Sequence, residues 1–193
     1  MIAIIDYNAG NVQSVIFALK RLGVEAVLTK DMDMIRQADK VIFPGVGEAS
    51  TTMKYLQELG LDKLIPTLTQ PVLGICLGLQ LLCEYSEEGH TKCLGIFPQK
   101  VVKFEPKLKV PHVGWNTIFN LKNGIFNPAL ENEYVYFVHS FYAELSEFTA
   151  ATTDYIVPFS AALQKDNFYA TQFHVEKSGS VGERILKNFI KMS

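Results

Sequence analysis

The sequence predicts an α/β fold in which a mixed, largely parallel sheet lies between helical layers. Short apolar runs alternate with amphipathic stretches as far as Cys76, a pattern typical of strands joined by helical crossovers. Strand-like segments predominate after that point, and the polar turn Lys165-Asp166-Asn167 predicts an antiparallel hairpin. With 193 residues, 48% of them hydrophobic, the chain is long enough for a single domain over residues 1–193.

Local sequence features predict each strand and helix of the first half. Ile2 to Tyr7 is an apolar strand, and Asn11 is a candidate cap for the following helix, which stops at Gly23. Further strands are predicted at Glu25 to Thr29, Lys40 to Phe43 and Val72 to Cys76, with helices at Asp31 to Ala38, Ser50 to Leu59 and Asp62 to Thr69. Parallel strands of this kind place a site at their carboxyl ends.

The second half is predicted to consist mainly of strands and to end in a helix. The segment from Glu105 to Pro111 contains two prolines and is expected to be a surface loop. Gly179 to Lys191 is predicted to be an amphipathic helix, because its apolar residues recur at helical spacing. Strands are expected at Lys100 to Phe104, Tyr134 to His139, Thr149 to Thr153, Ser160 to Gln164 and Tyr169 to His174.

Composition and charge argue against several classes of function. The net charge of -2, with scattered Lys and Arg, speaks against a nucleic-acid partner. The N-terminus lacks the cationic start of an export signal, and no apolar run approaches membrane-spanning length, so we expect a cytoplasmic protein without a membrane partner. The three cysteines show no C-x-x-C spacing, which predicts free thiols. We expect neither a metal nor a cofactor.

Cys76 is the strongest candidate for a reactive group. Gly74-Ile75-Cys76-Leu77-Gly78 joins a strand to an apolar stretch that is predicted to be helical as far as Tyr85. Enzymes place nucleophiles at such sharp turns, where small residues flank the nucleophile and the next helix directs its N–H groups at the substrate. A thiol at that place also ionises more easily. The alternative is a buried cysteine that serves only as a small hydrophobic residue.

A cysteine nucleophile needs a base, and His174 is the candidate. His174 ends a predicted strand, and Glu176 lies two residues on, on the same face of an extended chain. Glu176 could therefore orient the His174 ring and stabilise its cation. The alternatives are a polar strand end for His174 and a solvated carboxylate for Glu176. His90 and Cys93 could suggest a metal, but there is no second pair at ligand spacing.

A second glycine-containing loop follows the strand that ends at Phe43. In Phe43-Pro44-Gly45-Val46-Gly47, the glycines could let a backbone N–H turn toward an oxyanion. A dinucleotide-binding loop is disfavoured because the third glycine is missing, and the lysine of a phosphate-binding Walker A loop is missing too. A turn that merely needs glycine remains the alternative.

Together these segments resemble the class I (triad-type) glutamine amidotransferases, whose fold is flavodoxin-like. The likeness rests on Pro44-Gly45-Val46-Gly47, on Gly74 to Gln80, and on Phe173-His174-Val175-Glu176, which occur in the family's order. Within the family it is greatest to the glutaminase subunits of imidazole glycerol phosphate synthase. That narrower likeness rests on Pro111 to Asn116, Phe137 to Ser140 and Glu176-Lys177-Ser178, and the resemblance covers essentially the whole chain.

The resemblance implies a reaction and a set of site residues. Cys76 would attack the side-chain amide of L-glutamine to form a thioester, His174 would transfer the protons, and Glu176 would hold His174 in register. The oxyanion would meet N–H groups of Leu77 and of the loop at Val46 and Gly47. Contacts with glutamine are implied for Gly45, Gly78, Gln80, Glu88, Ser140 and Phe141.

The resemblance also implies a partner. Ammonia would pass through a channel to a TIM-barrel cyclase subunit, in a heterodimer that makes imidazole glycerol phosphate and aminoimidazole carboxamide ribotide for histidine biosynthesis. We expect the loop around Val46 to adopt its oxyanion geometry only when the partner holds its ligand. Interface contacts are implied for Asn11, Trp115, Tyr136 and Lys177.

Two departures from the family pattern leave alternatives open. Val175 stands where the family usually has proline, and the first turn reads Asn8-Ala9-Gly10-Asn11 instead of a more glycine-rich form. The chain could instead be a paralogous subunit that supplies ammonia for surface-polysaccharide synthesis. It could also be a stand-alone thiol hydrolase that acts on γ-glutamyl peptides. An inactive scaffold conflicts with the intact set of Cys76, His174 and Glu176.

Overall fold

The computed structural model describes residues 1–7 and 12–192. In chain order, its strands are β1 (Ile2–Ile5), β2 (Ala26–Thr29), β3 (Lys40–Phe43), β4 (Val72–Ile75), β5 (Cys83–Ser86), β6 (Thr91–Lys92), β7 (Phe97–Lys103), β8 (His112–Thr117), β9 (Tyr134–His139), β10 (Phe141–Ala143), β11 (Thr149–Tyr155), β12 (Val157–Lys165) and β13 (Phe168–Thr171). The α-helices are α1 (Val12–Arg21), α2 (Met32–Gln37), α3 (Ala49–Glu58), α4 (Leu61–Leu64), α5 (Leu77–Leu82) and α6 (Gly179–Lys191). Short 3₁₀ turns occur at Ile65–Thr67, Glu88–His90, Pro128–Leu130 and Val175–Lys177.

The largest sheet has the strand order β11-β12-β13-β4-β3-β1-β2. From β13 to β2 the strands pair in parallel, whereas β11, β12 and β13 pair antiparallel. The prediction of a mixed, largely parallel sheet is therefore confirmed. The order β2-β1-β3-β4-β13 is the flavodoxin-like arrangement, in which ligands bind beyond the carboxyl ends of the strands.

Helices cover both faces of this sheet. Ile2 and Ile4 of β1 belong to the core formed with α1 and α6, whereas Ala3 and Ile5 belong to the core formed with α2 to α5. Because both faces of the parallel strands are buried, their sequences are apolar throughout instead of alternating. Within the described part of the chain, no helix is long and apolar enough to span a membrane.

Two smaller sheets flank the main one. One has the order β10-β7-β5-β6, and β8 and β9 form an antiparallel ribbon. The prediction that the helix after Cys76 reaches Tyr85 is wrong, because α5 ends at Leu82 and Cys83 pairs with Phe97 of β7. An apolar run without periodicity is compatible with either a helix or a strand, so the pairing with β7 decides the conformation.

Close packing at the start of α5 leaves room only for glycine at position 78. A Cβ atom on Gly78 would lie 2.1 Å from the carbonyl oxygen of Phe43 at the end of β3. We expect Gly78→Ala to lower the free energy of unfolding by about 3 kcal/mol, because sheet backbone must move. Gly23→Ala is the control: its φ is +74° but the space is open, so the loss should be about 1 kcal/mol. Equal losses in urea denaturation would contradict this account.

Candidate active site

Three neighbouring strands bring the predicted site residues to one edge of the main sheet. β3, β4 and β13 are adjacent and parallel, so their carboxyl ends meet. Each end runs directly into a predicted part of the site: the loop from Pro44 to Gly47 after β3, Cys76 after β4, and residues 172–176 after β13. The topology therefore explains how groups about a hundred residues apart in sequence come together.

Cys76 occupies a strained turn between β4 and α5. Its backbone has φ 54° and ψ -108°, a conformation that residues with a side chain rarely adopt. The Cys76 N–H donates to the Thr171 carbonyl at 2.7 Å, which ties the turn to β13. The turn also needs a small neighbour, since a Cβ on Gly74 would lie 2.7 Å from Leu82 Cδ1. The surrounding structure thus holds the strained turn and presents the sulfur at the strand edge.

His174 and Glu176 form a buried pair beside the thiol. His174 Nδ1 lies 2.9 Å from Glu176 Oε1, and the two side chains are 5% and 2% exposed. The extended conformation expected for this pair is wrong, because β13 ends at Thr171 and Val175–Lys177 is a 3₁₀ turn. That turn brings the carboxylate back to the ring. Ser178 Oγ braces it by donating to the His174 carbonyl at 2.7 Å.

The surroundings of His174 favour its cation. Burial alone would lower the pKa of His174, but hydrogen bonds to Cys76 and Glu176 and the negative charges of those groups raise it to about 10. Because Nδ1 faces Glu176, Nε2 is the ring nitrogen that meets the thiol. Thiol, imidazole and carboxylate follow one another in the order that activates a nucleophile.

The sulfur opens into a cavity of about 420 Å³. This volume lies within the range of small-molecule sites. The cavity brings together most of the residues that the sequence singles out, namely Val46, Gly47, Cys76, Leu77, Gln80, Glu88, Ser140, Phe141, His174 and Lys177. Its described lining also includes Pro111, Val138 and His139, for which the sequence predicts no role in the site.

The loop between β3 and α3 does not have the predicted oxyanion arrangement in this conformation. The Leu77 N–H donates to the Gly45 carbonyl at 3.3 Å. A carbonyl oxygen therefore occupies a direction in which an oxyanion hole needs donors. Gly47, at the end of the loop, has a φ of 120°, which only glycine adopts readily. Rotation of the peptide between Gly45 and Val46 would break this bond and free the Leu77 N–H.

Glu88 supplies a carboxylate to the cavity wall. Its Oε2 accepts a hydrogen bond from the Ala49 N–H at 2.8 Å, at the start of α3. Partial burial raises the pKa of Glu88, and the nearby charge of Glu48 raises it further, against the effect of the Ala49 N–H. A cationic group in the cavity would reverse this shift, because an opposite charge favours the ionised carboxylate.

Gln80 is buried, and its side-chain amide nitrogen forms hydrogen bonds within the protein. Its Nε2 donates to the Phe141 carbonyl at 2.9 Å and to Gln172 Oε1 at 3.0 Å. Since both amide hydrogens are used, a substrate contact would have to use the Gln80 oxygen. Ser140 and Phe141, which follow β9, also line the cavity.

Gly45 and Gly78 serve close packing at the loop and elbow. A Cβ on Gly45 would lie 2.5 Å from the Gly78 nitrogen. Gly45 borders a second void, of about 10 Å³, beside Glu176. Neither glycine is among the described residues that line the larger cavity, and their contacts with glutamine stay a prediction.

The predicted partner contacts lie mainly on the ribbon of β8 and β9. Trp115 is 55% exposed, and its ring lies edge-on to Tyr136 with centroids 5.8 Å apart. Val113 pairs with Val138 on the same exposed face. Lys177 lies at the cavity, beyond the ribbon. Asn11, and the predicted turn at 8–11, lie outside the residues that the structure describes.

Sequence reasoning missed three buried polar side chains near the thiol. Gln172 Nε2 lies 3.8 Å from the Cys76 sulfur. Residues two apart in a strand lie on the same face, so the position of Gln172 two residues before His174 is the sequence feature that points to the site. His139 lines the cavity and lies within a segment that supports the family resemblance. The Tyr7 hydroxyl donates to the Pro44 carbonyl and anchors the loop, but no sequence signal predicts this bond.

Comparison with known proteins decides the family. The sequence model for "Glutamine amidotransferase class-I" matches residues 3–192. The chain belongs to the class I glutamine amidotransferases. The match spans all the site residues described above, so the elbow at Cys76 and the pair at His174 and Glu176 lie within the family's own domain. Among the described residues, His, Cys, Asp and Glu form no cluster of three that could hold a metal ion.

Three relatives of this amidotransferase share one name. "Imidazole glycerol phosphate synthase subunit HisH" of Bacteroides fragilis is 63% identical over 99% of each chain. Proteins of that name from Bacteroides thetaiotaomicron and Colwellia psychrerythraea are 61% and 43% identical, covering 99% and 98% of this chain and 99% and 92% of their own.

Solved structures agree on the fold. A crystal structure of a glutamine amidotransferase matches with a TM-score of 0.75 at 19% identity, over 98% of this chain and 97% of that one. The structure of PurLQS from Thermotoga maritima matches with a TM-score of 0.75 at 14% identity, over 98% and 96%. At these identities the likeness establishes the shared fold and carries no argument about substrate.

Proposed function

We propose that this chain is the glutaminase subunit of an imidazole glycerol phosphate synthase. It hydrolyses L-glutamine to glutamate and ammonia, and it passes the ammonia to a TIM-barrel cyclase subunit in the cytoplasm, for histidine biosynthesis. The observation that carries the chemistry is the series of thiol, imidazole and carboxylate formed by Cys76, His174 and Glu176 at the cavity. The proposed partner is supported by 63% identity, over 99% of each chain, to a protein named as a subunit of imidazole glycerol phosphate synthase.

The first half of the reaction forms a glutamyl thioester. The thiol proton moves to His174 Nε2, and the Cys76 sulfur attacks the amide carbon of glutamine. An amide nitrogen is a poor leaving group, so it must gain a proton as the C–N bond breaks. The imidazolium of His174 supplies this proton, and its Nδ1–H stays bonded to Glu176, which stabilises the cation.

The second half releases glutamate. Once ammonia has left, neutral His174 removes a proton from water, and the resulting hydroxide attacks the thioester carbon. The sulfur leaves as an anion and is again paired with the imidazolium. Glu176 keeps Nδ1 of the ring occupied throughout, so Nε2 always faces the reacting atoms.

Glutamine would be oriented by charge at one end of the cavity and by the sulfur at the other. Glu88 is suited to the cationic α-amino group, because a carboxylate and an ammonium form a charge-assisted hydrogen bond. Its pKa, raised by burial, should fall again when glutamine binds. Ser140 and Phe141, which also line the cavity, would contact the substrate as well.

The closed oxyanion loop supports control by the partner. With the Leu77 N–H bonded to the Gly45 carbonyl, the tetrahedral oxyanion has no free donor from Leu77. The exposed ribbon that carries Trp115 and Tyr136 offers an apolar surface for the cyclase beside the same cavity. A partner that docks there with its ligand would favour the rotated loop, so ammonia would be released only when an acceptor is ready.

The isolated chain is therefore expected to hydrolyse glutamine slowly. Adding the cyclase subunit with its ligand should raise the rate by roughly 10²-fold or more, because one oxyanion donor is worth about that much. Glutamate release is measured for the chain alone, with the cyclase, and with the cyclase and its ligand. A paralogue from polysaccharide synthesis would not respond to this cyclase. Full activity of the isolated chain would overturn the proposed control.

A further inference from the structure

A buried glutamine that the proposed chemistry does not use lies against the nucleophile. Gln172 is fully buried, and its Nε2 lies 3.8 Å from the Cys76 sulfur. Its Oε1 accepts from Gln80 Nε2 at 3.0 Å. Its backbone N–H donates to the Ala161 carbonyl at 2.8 Å, which holds the residue beside β12. One primary amide thus lies between the sulfur and Gln80.

The Phe141 carbonyl fixes the direction of this amide. A carbonyl oxygen can only accept, so the Gln80 atom 2.9 Å from it must be the nitrogen. The same nitrogen has a second hydrogen, which Gln172 must accept through its oxygen. Gln172 Nε2 is therefore turned toward the sulfur. The inverted amide would place two nitrogen donors against each other.

Two buried histidines hold the Phe141 carbonyl in place. His139 Nδ1 donates to it at 2.8 Å, so His139 Nε2 is an acceptor and receives the Nδ1–H of His112 at 3.1 Å. His112 Nε2 in turn accepts from Asn116 Nδ2 at 3.4 Å. This direction requires neutral rings, and burial lowers the pKa of His139 to about 3 and that of His112 to about 4. Each hydrogen bond between Asn116 and the sulfur therefore has a fixed donor at neutral pH, and the Phe141 carbonyl accepts from both His139 and Gln80.

Two polar groups near the Cys76 sulfur have opposite effects on a negative charge there. The Val138 carbonyl oxygen lies 3.9 Å from it and disfavours a negative charge there. The Gln172 N–H, at nearly the same distance, favours that charge and offsets the carbonyl. The imidazolium of His174 is the charged partner, and Gln172 is the neutral donor whose position does not depend on protonation.

We propose that Gln172 is a catalytic residue whose N–H stabilises the Cys76 sulfur anion. The proposal rests on the proposed function. When the thiol proton passes to His174 Nε2, the bonding electrons stay on sulfur, and the bond from the Gln172 N–H becomes charge-assisted. That bond weakens as the C–S bond forms and sulfur loses its charge. It strengthens again when the thioester breaks and sulfur leaves as an anion.

Alkylation of Cys76 tests the proposal without glutamine or a partner. Gln172→Glu keeps the shape of the side chain but replaces the donor with a carboxylate oxygen. We expect iodoacetamide to modify Cys76 roughly tenfold more slowly at neutral pH, because losing a hydrogen bond to a charged group destabilises the sulfur anion by about that factor. The pH of half-maximal alkylation should also move upward. The rate is read as a function of pH from the mass of the Cys76 peptide.

Two further variants separate this role from a structural one. Gln172→Met removes the donor without adding charge, and it should slow alkylation in the same direction; if Gln172→Glu does not fold, this variant decides. Gln57→Glu adds the same charge on the exposed face of α3 and should leave the profile unchanged. A wild-type profile in folded Gln172→Met would overturn the proposal. Failure of the proposed function would show separately, as absent glutamine turnover in a chain whose alkylation still depends on Gln172.

Discussion

Cys76→Ala is expected to abolish glutamine hydrolysis, with turnover lower by roughly 10⁴- to 10⁶-fold. Without the sulfur no thioester can form, and the remaining cavity groups can only bind the substrate. Cys76 is only 8% exposed and its sulfur faces the cavity, whereas the predicted partner contact Trp115 is 55% exposed on the ribbon of β8 and β9. Binding of the cyclase subunit should therefore persist. Glutamate release at saturating glutamine, with the cyclase and its ligand present, measures the loss.

Cys83→Ala is the matched control for this variant. Cys83 is fully buried, its Sγ donates to the Leu79 carbonyl at 3.4 Å, and burial raises its pKa well above the ordinary value. A thiol in that position serves packing, so the variant should keep turnover within a few-fold of the native chain. Unchanged turnover in Cys76→Ala would refute the nucleophile assignment. A folded but inactive Cys83→Ala chain would also count against it.

Glu176→Gln is expected to lower turnover by roughly 10²- to 10⁴-fold, as loss of the orienting carboxylate does in other triads. The pKa of His174 is about 10 because Cys76 and Glu176 outweigh the effect of burial. Without the carboxylate that pKa falls, and the imidazolium loses its proton at lower pH. The alkaline limb of the kcat/KM profile should therefore move toward neutral pH.

Glu176→Gln should also change how the stability of the fold depends on pH, because the pKa of His174 is raised in the folded chain. The pKa of His174 is about 10 in the folded chain and about 6.5 in the unfolded chain. The pair of His174 and Glu176 therefore stabilises the fold fully below about pH 6.5, and this contribution is lost as the pH rises through about 10. In Glu176→Gln the loss should occur at lower pH. Glu183→Gln, which removes a surface carboxylate paired with Arg21 at 3.0 Å, is the control. An unmoved alkaline limb in Glu176→Gln would contradict the role given to Glu176.

The parallel half of the fold follows from the sequence because its signals are local. Lys40 to Phe43 is an apolar run that becomes β3 with the predicted bounds. Asp31 precedes α2 and caps it, since its carboxylate accepts from the N–H groups of Asp33 and Met34. Gly74 and Gly78 also mark the sharp turn at Cys76 locally, because a Cβ on Gly74 would meet Leu82 of α5 and a Cβ on Gly78 would meet the Phe43 carbonyl of β3.

The other parts of the fold and of the site depend on contacts between segments that are distant in sequence. Cys83 becomes part of β5 only because Phe97 pairs with it, and the run around Cys83 does not encode that partner. The 3₁₀ turn at Val175–Lys177 forms with valine in the place of proline, so no proline marks it in the sequence. The amide of Gln172 acquires its direction through Gln80 and a backbone carbonyl, which no local pattern specifies.

The most direct measurement follows the amide nitrogen of glutamine through the assembled complex. The chain is combined with the cyclase subunit and its ligand, glutamine labelled with ¹⁵N in the side-chain amide is added, and the imidazole product is analysed by mass spectrometry. We predict ¹⁵N in the imidazole ring of the product, with glutamate formed in equal amount and slow glutamate release when the cyclase is omitted. Glutamate formed at the same rate without the cyclase, with the label found only in free ammonium, would contradict the account.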